Sequence, residues 1–286
     1  MGALRAVRPG AFALAVATGA LAPAGAWAQL VPHRAVYDMS LERSDEKGVM
    51  TSFNGRMVVD VVAADCEGLA TNTRYVFQSG SDSGAMLLTD LRTVQWEAAD
   101  GSAFRFMTRR YDDLNLTEET DGKARHTAGS LDVELKVPDD RQVSFKGEVL
   151  FPAQHLNRLI DAARANQRMF AARLYEGADA GDRIYDTFAV IGRLRAGTGE
   201  TPETLETAAQ VLAGLDRWPV TISYFPGPDA PAEEREILGG EEVPVYAISS
   251  ELFENGVSRR VVLDYGDFSL KGELTDLVFT PKPNCD

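Results

Sequence analysis

Alternation of apolar and polar residues with a period of two is the feature of this sequence that most restricts its fold. It runs through residues 35–41, 131–137 and 268–274. Such alternation is typical of antiparallel strands that bury one face and expose the other. We therefore predict a mainly β protein built on one large antiparallel sheet.

Turn signals between the strands support this prediction. A residue that tolerates positive φ followed by glycine is typical of a two-residue hairpin turn, and the chain has four such pairs: Asn54-Gly55, Asp100-Gly101, Asp121-Gly122 and Asn255-Gly256. Asp100-Gly101 is predicted to join strands around Trp96 and Phe104. Asn255-Gly256 is predicted to join strands at 243–253 and 257–265.

One central segment has helical rather than strand periodicity. Residues 152–174 carry apolar side chains at helical spacing after Pro152, which suits a first helical turn. We predict a central amphipathic helix whose other face carries Arg158, Arg164 and Arg168. This basic face is either a docking surface for an acidic partner or an ordinary solvated helix face.

A second, short helix is predicted after residue 200. Thr201 can cap it, Pro202 suits its first position, and apolar residues follow up to Gly214. We expect the helices to be inserted into or across the sheet and to form no domain of their own.

The first 28 residues have the three parts of a secretory signal. Arg5 and Arg8 supply the positive start, residues 11–22 the apolar stretch, and Ala26-Trp27-Ala28 a small-x-small cleavage site. A transmembrane helix needs roughly 20 apolar residues, which exceeds this stretch. We predict cleavage after Ala28, export to the periplasm, and a single β-rich domain over residues 29–286.

Charge and motifs exclude several classes of function. The formal net charge of −14 disfavours nucleic acid and electrostatic adhesion to anionic lipid, both of which need clustered Lys and Arg. No P-loop, dinucleotide-binding or zinc-protease motif is present, and His33, His126 and His155 are widely spaced. We predict no catalytic residue, metal or cofactor. A hydrolase that uses some pair of the 43 acidic residues is an alternative.

Cys66 and Cys285 are the two cysteines of the chain. In an exported protein an even count favours one disulfide, and the alternative is a pair of unrelated thiols. A bond between them would tie the last residues of the chain to an early strand. Redox catalysis is not indicated, because the chain has no Cys-x-x-Cys motif.

Changing Cys66 or Cys285 to Ser is expected to lower the melting temperature without abolishing the fold. The chain-entropy description gives roughly 5 kcal/mol for so long a closed loop. The domain is also large enough to keep a core without the bond. Thermal unfolding with and without reductant tests this prediction, and equal melting temperatures would contradict the disulfide.

Aromatic and apolar residues are concentrated between residues 75 and 111. A curved antiparallel sheet can enclose an apolar cavity, and these side chains either line such a cavity or form an ordinary core. The candidate ligand-binding residues are Tyr75, Phe77, Met86, Trp96, Phe104 and Phe106.

Several short segments together resemble a known family. They are residues 30–37, 147–155, 175–182, 190–192 and 281–285, with sequences LVPHRAVY, GEVLFPAQH, YEGADAGD, VIG and PKPNC. In order and spacing, and in their two cysteines, they are similar to the EipB family of periplasmic cell envelope integrity proteins. Glu176 stands where the family is usually written with Asp.

The resemblance implies a monomeric, spiral-like or open-barrel-like antiparallel sheet with a central cavity and a Cys66–Cys285 disulfide. It implies a role in envelope integrity under stress, without enzymatic activity. It further implies a likeness to periplasmic lipid and lipoprotein carriers and a functional link to a periplasmic tetratricopeptide-repeat protein.

The leading hypothesis is therefore a non-catalytic periplasmic protein that binds an extended peptide or another apolar ligand in its cavity. A lipid or lipoprotein carrier is the alternative within the same fold. A scaffold that recruits a partner through Arg158, Arg164 and Arg168 is compatible with the leading hypothesis.

Overall fold

The computed structural model describes residues 30–45, 50–64, 67–178, 180–198, 207–230, 237–238 and 241–281. The predicted signal segment and both cysteines, Cys66 and Cys285, lie outside these residues. Within the described ranges the chain is mostly β-strand. No helix in them is long and apolar enough to cross a bilayer.

The predicted large antiparallel sheet is confirmed. Its first eight strands are β1 (His33–Ser44), β2 (Met50–Ala64), β3 (Gly68–Ser81), β4 (Met86–Ala98), β5 (Ala103–Asp112), β6 (Asn115–Thr127), β7 (Ser130–Val137) and β8 (Arg141–Lys146). Its other six strands are β9 (Met169–Leu174), β10 (Tyr185–Ile191), β11 (Arg217–Pro226), β14 (Tyr246–Phe253), β15 (Ser258–Asp264) and β16 (Phe268–Phe279). Strands β12 (Ile237–Leu238) and β13 (Glu241–Glu242) form a separate two-stranded pair.

The 14 strands lie in the order β8 to β1 and then β16, β15, β14, β11, β10 and β9. Strands β8 and β9 are therefore the two edges of the sheet. Just after β8, Leu150 forms an isolated parallel bridge with Leu174 at the end of β9. The amide of Leu150 donates to the carbonyl of Arg173 at 2.8 Å, and the amide of Tyr175 donates back to Leu150 at 2.9 Å. The sheet thus curls back on itself without closing, as predicted.

Two of the four predicted turn positions are confirmed and two are wrong, and the two confirmed connections are longer than the predicted two-residue turn. Gly101 and Gly256 have φ of +68° and +90° and lie in the hairpin turns between β4 and β5 and between β14 and β15. Gly55 and Gly122 instead lie inside β2 and β6. A Cβ on Gly55 would lie 2.5 Å from the Cβ of Phe77, and one on Gly122 would lie 2.6 Å from Cζ of the Phe106 ring. These glycines therefore allow a neighbouring aromatic residue to approach closely. In the sequence, an Asn-Gly or Asp-Gly pair with this role looks the same as a turn signal.

The predicted helix over residues 152–174 is correct only in its first part. Helix α1 spans Pro152–Arg164, after which Asn166 adopts a φ of +58° and ends it. The remaining residues form β9, whose ladder with β10 pairs Phe170 with Ala189. The second predicted helix begins outside the described residues, and the part that is described is a 3₁₀ helix over Thr207–Leu212.

Helix α1 is packed against the sheet and held at its N-terminus. It buries Leu159 and Ile160 completely, in a cluster that includes Trp218 and Leu252. At its first turn both carboxylate oxygens of Glu97, on β4, accept backbone amides, from Ala153 at 2.8 Å and Gln154 at 3.0 Å. The first amides of a helix have no partner within the helix, so Glu97 satisfies two groups that burial would otherwise leave unbonded.

Candidate functional site

A cavity with a volume of about 730 Å³ lies near the edge of the curled sheet. Phe145 of β8 borders it, and so do residues from the segment before β10 and from the ends of β11, β14 and β15. Its apolar and aromatic lining consists of Phe145, Ile184, Tyr185, Pro226, Ala230, Val245, Tyr246 and Tyr265. A volume of this size falls within the range of small-molecule and peptide pockets, roughly 300–1,000 Å³.

Four tyrosine rings form a connected cluster, which we call the tyrosine wall, and three of them, Tyr185, Tyr246 and Tyr265, line this cavity. Tyr224 and Tyr246 are directly opposed on β11 and β14, and their rings stack with centroids 4.3 Å apart. Tyr185 meets both rings edge-on, at 6.0 Å from Tyr224 and 5.9 Å from Tyr246. Tyr265 lies 6.0 Å from Tyr246 on the way to Phe268. Side chains with an apolar ring and a polar tip suit a surface that binds an apolar ligand and also orients it.

The carboxylate of Glu176 lies within this tyrosine wall. The Tyr246 hydroxyl donates a hydrogen bond to Oε1 of Glu176 at 3.2 Å. Burial raises the pKa of Tyr224, Tyr246 and Tyr265 well above the usual tyrosine value, and the negative charge of Glu176 raises it further. All three tyrosines are therefore neutral hydrogen-bonding groups at physiological pH.

The segment between β9 and β10 that carries Glu176 is fixed at several points. Gln95 Nε2 donates to the Glu176 carbonyl at 2.8 Å, and the Tyr175 hydroxyl donates to the Gly181 carbonyl at 2.7 Å. Arg141 donates to Asp182, on the cavity wall, at 2.8 Å. The cavity therefore has one side formed by an anchored loop, which suits a preformed site.

Tyr75 carries a buried hydroxyl with no hydrogen-bond partner among the described residues. Burial raises the pKa of this hydroxyl above the usual tyrosine value. A buried polar atom without a partner costs free energy, so such groups are expected to find water or a ligand.

The six residues predicted to bind a ligand do not come together in the structure. Tyr75 and Phe77 pack side by side on β3, with ring centroids 4.9 Å apart. Phe104 and Phe106 are buried on β5, and both meet the ring of Tyr175 edge-on. These four residues form two separate aromatic groups.

Met86 and Trp96 lie on the other face of the sheet. Glu97 pairs with Phe104 across β4 and β5, so its neighbour Trp96 points to the opposite side, where the Arg105 guanidinium lies 4.9 Å from its ring. Met86 is 51% exposed and borders a smaller cavity of about 460 Å³. As ligand contacts, all six residues stay a prediction, and none of them is among the residues that line the cavity of about 730 Å³.

The tyrosine wall was missed because its members are far apart in sequence. Tyr185, Tyr224, Tyr246 and Tyr265 come from four different parts of the chain and meet only when β10, β11 and β14 pair. The available signal was four tyrosines after residue 180, each in a different segment of the chain. The higher local density of aromatic residues at 75–111 favoured that segment instead.

The three arginines of the predicted basic face each contact an acceptor within the chain. Arg158 pairs with Glu148 at 2.7 Å, and Arg164 pairs with Glu254 at 3.3 Å. Arg168 lies beyond the helix, in the turn before β9, where it donates to the Gly192 carbonyl at 2.6 Å. The prediction that Arg168 lies on the helix is thus wrong, because α1 ends at Arg164. Partner binding by these residues stays a prediction.

The three histidines have separate structural roles. His33 Nδ1 lies 2.6 Å from the Val31 carbonyl, and the two ring nitrogens of His126 each lie 2.8 Å from a carbonyl oxygen. His155 Nε2 lies 2.8 Å from Thr187 Oγ1, and burial lowers the pKa of His155 to about 4. No group of three or more potential metal ligands occurs among the residues that the structure describes.

Comparison with known proteins assigns this chain to a family. The chain matches the EipB-like family over residues 24–281. It is 36% identical over 257 residues to the cell envelope integrity protein EipB of Brucella abortus (strain 2308), covering 90% of this chain and 86% of that relative. The chain belongs to the EipB-like family.

A solved structure supports the same assignment. The crystal structure of a β-barrel-like protein from Brucella abortus, from a domain family of unknown function, resembles this EipB-like chain with a TM-score of 0.77. The two are 33% identical, and the match covers 88% of this chain and 99% of that one. The family resemblance inferred from the short sequence segments is thereby confirmed.

Proposed function

We propose that this EipB-like protein supports the integrity of the cell envelope as a non-catalytic, ligand-binding protein of the periplasm. Its ligand is an extended peptide or another largely apolar molecule that lies against the tyrosine wall. One observation carries the proposal: a cavity of about 730 Å³ whose tyrosine rings come from β10, β14 and the residue after β15.

The envelope role is inferred from the Brucella abortus relative, which is named a cell envelope integrity protein. Periplasmic location is inferred from the signal-like first 28 residues, with cleavage after Ala28. The contacts of the three histidines with backbone carbonyls and Thr187 suit structural roles.

The composition of the wall supports a ligand with an apolar body and hydrogen-bonding groups. Ring faces of Tyr185, Tyr246 and Tyr265 can cover apolar surface, which favours binding in proportion to the area removed from water. The Glu176 carboxylate, which already accepts from the Tyr246 hydroxyl, can accept further hydrogen bonds. An extended peptide offers both apolar side chains and backbone amides to such a wall.

Replacing Tyr246 by Ala is expected to weaken binding of a hydrophobic peptide about tenfold, the effect of losing much of one aromatic contact. Titration of the purified mature protein with a fluorescently labelled apolar peptide measures this change. Tyr111→Ala is the matched control, since Tyr111 lies on β5 outside the cavity lining. Absence of saturable binding by the unaltered protein, or equal affinities of both variants, would refute the cavity as the ligand site.

A lipid or lipoprotein carrier is the second candidate. Aromatic walls such as Tyr185 and Tyr246 cover an acyl chain as readily as an apolar peptide, so the cavity is compatible with both ligands. Protein purified from the periplasm and extracted with organic solvent distinguishes them. Lipid in stoichiometric amount favours the carrier, whereas clean extracts together with peptide binding remove it.

A further inference from the structure

The hairpin between β5 and β6 ends in a highly exposed leucine. Leu114 is 82% exposed, more than any other large hydrophobic side chain of the described residues. Its φ is +69°, and that of the preceding Asp113 is +47°, so the two residues form a turn with positive φ at both positions. Glycine or asparagine adopts this conformation at lower cost than leucine. The turn therefore holds an apolar side chain where local backbone preference disfavours one.

Other exposed apolar side chains lie on β4 and β6 at the same end of the sheet. Leu116 is 50% exposed, Met86 51% and Leu88 36%. Leu116 lies opposite Tyr111, and Tyr111 lies opposite Asp90, which shares a face of β4 with Leu88 and Met86. We call Met86, Leu88, Leu114 and Leu116 the apolar tip. These residues lie at one end of the sheet, where Met86, Leu88 and Leu116 share its outer face.

Several backbone groups around the apolar tip are hydrogen-bonded within the protein. The amide of Asp113 donates to the Leu88 carbonyl at 2.8 Å, and the Leu88 amide donates to the Asp113 carboxylate at 3.1 Å. Asn115 Nδ2 donates to the Asp113 carbonyl at 3.1 Å. A segment can enter a lipid layer at low cost only when its backbone polar groups are satisfied within the protein.

Residues suited to the lipid head-group level lie just behind the apolar tip. The Arg92 guanidinium lies 4.9 Å from the centre of the Tyr111 ring, and Arg109 lies opposite Arg92 on the next strand. Tyrosine and arginine are typical of the membrane interface, where the ring is partly buried and the charge reaches phosphate or water. Arg92 and Arg109 form ion pairs with Asp90 and Glu119, so this group of residues has little net charge.

We propose that the apolar tip inserts shallowly into the surface of a lipid bilayer and so docks the protein on a membrane. An exposed hairpin whose turn is partly hydrogen-bonded within the protein, with Tyr111, Arg92 and Arg109 behind it, fits a fluid apolar layer. The attachment is apolar and not electrostatic, which agrees with the negative net charge of the chain. It does not depend on the cavity or on any ligand in it.

Co-sedimentation of the mature protein with vesicles of phosphatidylethanolamine and phosphatidylglycerol tests the proposal. Leu114→Asn is expected to weaken binding about tenfold, the effect of removing one leucine side chain from lipid. Because asparagine suits positive φ, this variant is expected to keep or raise the melting temperature. Leu194→Asn is the matched control, since Leu194 is 44% exposed and follows β10. It is expected to bind as the unaltered protein does.

A second variant gives a direct signal of insertion. Leu114→Trp is expected to bind at least as tightly as the unaltered protein, with a blue-shifted emission that lipids brominated on their acyl chains quench. Raising the salt concentration from about 0.1 M to about 0.5 M is expected to change vesicle binding less than twofold, because screening acts on charges only. No vesicle binding, equal binding by Leu114→Asn, or a large loss at high salt would each overturn the proposal.

Discussion

Replacing Glu97 by Gln is expected to remove a dependence of stability on pH. Burial raises the pKa of Glu97 from 4.5 to about 8, although the amides of Ala153 and Gln154 oppose the rise. Between these two pH values the folded protein keeps a proton that the unfolded chain has lost. The contribution of Glu97 to the free energy of unfolding is therefore fully present below about pH 4.5 and is lost as the pH rises through about 8.

The expected magnitude is large for one residue. Each unit by which the pKa differs between the folded and unfolded states corresponds to about 1.4 kcal/mol, so the contribution amounts to a few kcal/mol over the whole window. Thermal unfolding from pH 5 to 9 measures it in the unaltered protein and in Glu97→Gln. A control is Glu134→Gln, since Glu134 is 41% exposed on β7 and pairs with Lys123 at 2.9 Å. Parallel pH profiles for Glu97→Gln and the unaltered protein would contradict the prediction.

Phe106→Ala is expected to lower the free energy of unfolding by about 3–5 kcal/mol, the usual cost of emptying a buried phenylalanine site. The ring is buried between Phe104 and Tyr175, each with its centroid 5.6 Å away. It also lies below Gly177 and Gly181, in the loop that forms one side of the cavity. Loss of the ring is therefore expected to loosen that loop and to weaken ligand binding as a secondary effect.

Denaturant unfolding with Phe188→Ala as a control tests this prediction. Phe188 is 39% exposed on β10, so its loss is expected to cost less than about 1.5 kcal/mol. Equal costs for the two substitutions would show that the aromatic group around Phe106 does not carry the expected share of stability.

Local sequence patterns predicted the sheet well because they depend on neighbours along the chain. Alternation at residues 131–137 reports which side chains face the core, and that face is the same whatever strand lies beside it. Asp100-Gly101 and Asn255-Gly256 were predicted correctly because their turns use the positive φ that glycine allows. The same signal failed at Gly55, where the reason for glycine is Phe77 on the next strand.

Helix α1 shows the limit of periodicity at a boundary. The spacing of apolar residues continues past Arg164, but Phe170 belongs to an edge strand that pairs with β10. A window of a few residues fits both a helix and a strand when the apolar positions are sparse. Pairing with β10 decided between them, and the sequence around residue 170 does not contain that information.

The sequence by itself determined the antiparallel class, the hairpin at residues 99–102, the start of the central helix and, through short family-specific segments, the EipB-like family. Only the tertiary structure decided which side chains form a site. The tyrosine wall joins Tyr185, Tyr224, Tyr246 and Tyr265, whereas neighbouring aromatic residues such as Trp96 and Phe104 point to opposite faces. The reason is physical: alternation fixes the face of each residue within a strand, but strand order and curvature determine which faces meet across a cavity.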